Sequence, residues 1–153
     1  MIVVSDTTPI TSLLQVGQCE LLARLYGEVL IPPAVHGELL PAHPVLPDFL
    51  RVEPARNRAD VQRLQSELDL GEAEAIVLAK EMTADLLLVD ESDGRRVALR
   101  EGVSIIGLLG VLVQAKRSEL ITSVRELTAR LEDIAGFRVA DAVKDVIFRN
   151  AGE

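Results

Sequence analysis

Two adjoining pieces decide the fold: Glu72-Ala73-Glu74-Ala75-Ile76-Val77-Leu78-Ala79-Lys80-Glu81-Met82, then Asp85-Leu86-Leu87-Leu88-Val89-Asp90. The first is alanine-rich and free of Gly and Pro, so it reads as a helix. The second is a short apolar run bounded by acids. A run apolar on both faces fits a central parallel strand with helices above and below it. Toward the C-terminus the pattern predicts a helix from about Asp93 to Arg100, stopped at Gly102, and a buried strand over Val103–Ile106. Further helices follow over Leu108–Lys116, about Ser123–Ile134 and Val139–Arg149. Toward the N-terminus, the break Asp69-Leu70-Gly71 precedes the first piece, with a polar helix over about Arg58–Leu68 before it. Phe49–Val52 reads as a small edge strand behind a proline-rich loop at 41–48. A helix over Ala34–Leu40 opens after Pro32-Pro33, which closes the apolar strand Val29–Ile31. A short helix over about Cys19–Tyr26 stops at Gly27, and Pro9 opens the helix that runs through Leu13, Leu14 and Val16. The chain begins with the strand Ile2–Ser5, ended by Asp6. This alternation predicts one α/β domain over residues 1–153, with a parallel central sheet flanked by helices on both faces.

Composition sets the limits. Apolar residues at 48% and charged residues at 26% are globular proportions. No apolar run approaches the ~20 residues of a membrane span, and the N-terminus lacks the basic segment of a signal peptide. With one cysteine, Cys19, no intramolecular disulfide can form, and a cytoplasmic location is the expectation. Cys19 sits in an amphipathic pattern that suits a buried small hydrophobe. The net charge of −8 argues against a broad nucleic-acid-binding surface. It does not argue against a metal-dependent nuclease, because carboxylates reserved for cations count as negative. Aromatics at 3% exclude a stacking platform of the single-strand-binding type. His36 and His43 are too few for a conventional zinc site.

The acids carry more information. Open α/β sheets place their functional crevice beyond the carboxyl ends of the strands. Asp6 and Asp90 each end a strand, and Glu38 lies in the second turn of a helix that starts at such an end. From Glu72 the helix runs away over about 16 Å, and the following strand returns by about the same length. The two lengths cancel, so Asp6, Glu38, Glu72 and Asp90 are expected around one pocket. Crowded carboxylates repel one another unless a cation neutralises them, and oxygen-only ligands select Mg²⁺ or Mn²⁺. Each acid has a structural alternative as well. Asp6 and Asp90 suit caps of the helices that follow them, Glu38 a solvated helix face, and Asp69-Leu70-Gly71-Glu72 a capping box. Asp93 is a further metal-ligand candidate, with helix capping as its alternative. Of the neighbours Glu72 and Glu74, the helical spacing puts Glu72 in the site and Glu74 on a different, more mixed face with Leu78 and Glu81.

At these residues the chain resembles the PIN-domain nucleases, in particular the VapC-like toxins of toxin–antitoxin pairs. The matching pieces are Val3-Val4-Ser5-Asp6-Thr7-Thr8-Pro9, Ile31-Pro32-Pro33-Ala34-Val35-His36-Gly37-Glu38-Leu39, Leu70-Gly71-Glu72-Ala73-Glu74-Ala75-Ile76 and Leu87-Leu88-Val89-Asp90-Glu91-Ser92-Asp93-Gly94-Arg95. The resemblance implies an endoribonuclease dependent on Mg²⁺ or Mn²⁺, acting on RNA, commonly a homodimer and neutralised by a small protein antitoxin. It carries the family's acids onto Asp6, Glu38, Glu72 and Asp90. A glutamate replaces the commoner aspartate at Glu72, and Asp93 rivals Asp90 for the last position. Two other classes compete: phosphoryl transfer on a small molecule and a non-catalytic binding module. The Asp-x-Asp of haloacid-dehalogenase-type phosphatases is missing, since Asp6-Thr7-Thr8 stands there. Arg95, Arg96 and Arg100 are candidate phosphate contacts. The apolar Leu108–Val113 segment, with Leu13, Leu14, Leu21 and Leu22, suggests self-association.

Overall fold

A computed structural model describes residues 1–153. Its strands are β1 (Val3–Ser5), β2 (Val29–Ile31), β3 (Leu50–Val52), β4 (Leu86–Leu88) and β5 (Ile105–Ile106). They form one sheet in the order β3-β2-β1-β4-β5, and every pair is parallel. The helices are α1 (Thr7–Gln15), α2 (Glu20–Tyr26), α3 (Pro33–Leu39), α4 (Arg58–Leu64), α5 (Leu70–Glu81), α6 (Ser92–Arg100), α7 (Leu108–Arg117), α8 (Val124–Ala135) and α9 (Asp141–Asn150).

The period of two along a strand divides the core. Val3, Val29, Ile31 and Leu88 face one way and pack with Ile10, Leu13, Leu22, Leu108, Leu112 and Leu131. Val4, Leu30, Leu87 and Val89 face the other way, onto Leu64, Ile76, Leu78 and Val97. Helices α4, α5 and α6 therefore cover one face and the remaining helices the other, which gives the expected three-layer α/β/α architecture.

Some boundaries differ from the sequence pattern for local reasons. β5 begins at Ile105 rather than Val103, because α6 ends in a Schellman turn. Gly102 has φ +81°, and the Val103 and Gly102 N–H groups donate to Ala98 and Leu99. α4 ends at Leu64 rather than Leu68, and the Ser66 hydroxyl donates to the Arg63 carbonyl at 3.0 Å in the turn that follows. The apolar helix faces expected to drive self-association are consumed inside the monomer. Leu13, Leu21, Leu22, Leu108, Leu109, Val111, Leu112 and Val113 are all buried, and Leu14 is half-buried. Cys19 is buried as well. No helix is long and apolar enough to cross a membrane.

Candidate active site

The sheet reverses its winding between β1 and β4, which are neighbours, with β2 and β3 on one side and β5 on the other. The crevice at such a reversal is where open α/β sheets bind ligands. The Asp6 N–H donates to the Leu88 carbonyl at 3.0 Å, so the carboxyl ends of both strands are joined there. Asp6 is 5% exposed and does not cap α1 with its side chain. Burial pushes its carboxyl up to about 7, and the carboxylates of Asp69, Glu38 and Glu91 push in the same direction.

Helix α3 carries Glu38 to this edge. Glu38 Oε2 accepts the Thr7 hydroxyl at 2.6 Å, next to Asp6 in the chain. Its Oε1 lies over Gly71, where an added Cβ would stand 2.5 Å away. Glu72 opens α5 in a complete capping box. Its N–H donates to Asp69 Oδ1 at 2.8 Å, and its Oε1 accepts the Asp69 N–H at 3.4 Å. Glu72 Oε2 reaches over Gly94 at the start of α6, 2.8 Å from an added Cβ. Burial, then the charges of Asp69 and Asp6, raise Glu72 to about 7. The helix start and the strand end thus meet, as the matched lengths require.

Asp90 follows β4 and does not cap α6, the helix next to it in the chain; it caps the first turn of α7 instead. Its Oδ1 accepts the Leu108 N–H of α7 at 3.0 Å and lies over Gly107, 2.9 Å from an added Cβ. Its Oδ2 is buried and has no partner. Burial raises the Asp90 carboxyl, opposed by the Leu108 N–H and by Arg95. Asp90, Glu72 and Glu38 therefore each commit one oxygen to the fold and leave the other uncommitted. Asp93 stands apart, with its side chain 73% exposed and 3.7 Å from Arg96.

A divalent cation suits this donor set. Every donor is a carboxylate oxygen, and a buried carboxylate oxygen without a partner is costly unless a cation or a proton satisfies it. As the side chains lie, no three of His, Cys, Asp and Glu are close enough together to hold an ion.

Several residues act differently from their sequence reading. Glu74, turned away from the site, is only 4% exposed. α5 is packed on every side, so its polar residue is paired rather than solvated. Glu74 Oε1 accepts the Ala34 N–H at 2.9 Å, and Oε2 pairs with Arg58 at 2.7 Å. It thereby fastens the first turn of α3, the helix that carries Glu38. Arg100 pairs with Glu67 at 2.7 Å, and Arg96 reaches Glu67 at 3.5 Å, so these two cations hold α6 to the segment after α4. Arg95 instead turns inward, donating to the Val89 carbonyl at 3.1 Å beside Asp90. Glu91 and Asp69 add negative charge around Asp6, which the motif positions alone do not indicate.

A family model, DUF3368, described as a PIN domain, matches residues 2–153. No curated protein and no solved structure matches the chain.

Proposed function

The chain belongs to the PIN-domain family, and from that premise we propose that it is a Mg²⁺- or Mn²⁺-dependent endoribonuclease. The observation that carries this reading is the partnerless, buried Oδ2 of Asp90 at the carboxyl end of β4, next to the strand that ends in buried Asp6. Asp6 and Asp90 would hold the ion, with Glu72 and Glu38 beside them. When bound, such an ion polarises a phosphoryl oxygen and makes water a nucleophile near neutral pH. The chain's own groups do the rest. The Leu108 N–H fixes the orientation of Asp90, the capping box that of Glu72, and the Thr7 hydroxyl that of Glu38. Asp93 is an outer candidate that would need a rotamer change to take part.

A VapC-like toxin role in the cytoplasm, restrained by a small protein antitoxin, extends the proposal and rests on the sequence resemblance. Homodimer formation belongs to the same extension. It would have to use faces other than the buried apolar ones, such as Val146 of α9, which is 52% exposed. A non-catalytic PIN-fold binding module is the second reading, favoured by the separation of the carboxylates in this conformation.

Incubation with structured and unstructured RNAs in Mn²⁺ tests the proposal. Cleavage of the unstructured RNA should vanish with EDTA and with Asp90→Asn. Cleavage that survives both would belong to a contaminant, and intact RNA under all conditions would favour the binding module.

A further inference from the structure

Two clefts meet at Asp90. One, about 580 Å³, has apolar walls that include Ile106, Leu109 and Val143. The other, about 430 Å³, is lined by the hydroxyl residues Thr8, Ser12 and Ser92, with Glu91 beside Asp90. Asp90, Phe137 and Arg138 line both, so the Phe137-Arg138 segment stands between the clefts where they reach the acid. Each volume is within the ~300–1,000 Å³ range of small-molecule pockets.

We propose that these clefts are the nucleotide subsites on either side of the scissile phosphate, with Phe137 as a base-stacking residue and Arg138 as a phosphate contact. This deepens the nuclease reading and rests on it for the position of the phosphate. A strand with one phosphate at Asp90 must place a nucleotide to each side. The apolar cleft accepts the faces of a base, and the hydroxyl-lined cleft accepts ribose or base edges. The chain has four aromatic residues, one Tyr and three Phe, and one of them stands at this junction. A single ring differs from the aromatic sheet surface that the composition excludes, and one ring is enough to stack one base. Phe137 is half-buried and its loop is anchored, since its N–H donates to the Leu131 carbonyl at 3.1 Å after Gly136, the left-handed cap of α8. Arg138 is exposed and belongs to none of the ion pairs that occupy Arg96 and Arg100. It is a cation beside an acidic site in a chain of net charge −8, where a polyphosphate strand has few other cations to engage.

The test measures binding, with Ca²⁺ replacing Mn²⁺ so that the strand stays intact. A short labelled oligouridylate and an abasic strand of equal length are compared by fluorescence anisotropy. Wild type should prefer the strand with bases at least about fivefold, the low end of what one base–aromatic stack provides. Phe137→Ala should abolish the preference and Phe137→Tyr should retain it. Arg138→Gln should weaken both strands equally. Mn²⁺ affinity, read separately, should stay unchanged in all three variants. If Phe137→Ala proves unfolded, Phe137→Leu replaces it, with the same expectation. A preference that persists without the ring, or no preference in wild type, overturns the proposal. A preference for bases in a protein that cuts no RNA supports the subsites and refutes the nuclease reading.

Discussion

The carboxylate of Glu38 rests on the backbone of Gly71, so closely that a Cβ on the glycine would stand 2.5 Å from Oε1. The obstructing atom is the end of an exposed, flexible side chain, and it can move. Gly71→Ala also gains helix propensity of up to about 1 kcal/mol. We expect Gly71→Ala to melt at or above the wild-type temperature while Mn²⁺ affinity falls about tenfold, the size of an outer-shell disturbance at a metal site. Parallel thermal melts and calorimetry check both halves. Unchanged affinity would show that Glu38 lies outside the site.

Gly94 makes the contrasting case. A Cβ there would meet Val89 Cγ2 at 2.9 Å as well as Glu72 Oε2 at 2.8 Å. Val89 is buried and β-branched, so it has no room to yield. Gly94→Ala should lose stability by about 1–3 kcal/mol in urea unfolding, despite its gain in helix propensity. A wild-type urea midpoint would mean that α6 shifts freely on β4.

Much of this arrangement is legible in the residues alone, and the limits are physical. Asp6 and Asp90 are placed by the apolar runs they terminate, because a strand's end is also its place at the sheet edge. Glu72 follows from helix and strand lengths that cancel. The role of Glu74 does not, because helical spacing turns it away from the site without saying what it meets there. Gly71 and every residue from Ala73 to Ala79 is buried. The available signal was a lone charge inside a wholly apolar stretch, which needs a partner. That partner, Arg58, comes from α4, and no spacing rule links the two. The choice of Leu108 N–H by Asp90 is equally non-local, 18 residues ahead.

Glu74 should matter through its oxygen rather than its charge. Glu74→Ala leaves the Ala34 N–H unsatisfied and should cost about 1–3 kcal/mol. Glu74→Gln keeps an acceptor for the Ala34 N–H and sets its amide nitrogen against Arg58, so it should lose less than Glu74→Ala. Chemical denaturation of both variants checks this order. Equal losses would mean that the charge dominates.

Glu72→Gln separates capping from ligation. Glutamine can still accept the Asp69 N–H, so melting should stay near wild type, while RNA cleavage is lost. Full activity would reduce Glu72 to a cap.

The raised carboxyls make a pH signature. Asp6 and Glu72 sit at about 7, above the ordinary 3.8 and 4.5. Their contribution to stability is therefore fully present below those ordinary values and is lost as pH rises through 7. Glu101 and Glu153, held at about 2 against an ordinary 4.5, act in the opposite sense. Their contribution is full above 4.5 and falls only as pH drops toward 2. From about pH 5 to 8, the melting temperature of EDTA-treated protein should fall as Asp6 and Glu72 ionise. A Mn²⁺ ion held by these carboxylates would compete with the same protons, so its affinity should rise across that interval. A flat melting profile would mean that the two carboxyls titrate normally.

On this proposal Asp6, with Asp90, holds a divalent ion at the β1–β4 switch point. Calorimetric titration of Mn²⁺ at about pH 8 into wild type and Asp6→Asn tests it most directly, at a pH where the raised carboxyls are ionised. Wild type should bind saturably, and removal of the Asp6 charge should lower the affinity at least about tenfold, the low end of the effect of disturbing even an outer-shell group. Equal affinity in the two proteins would contradict it.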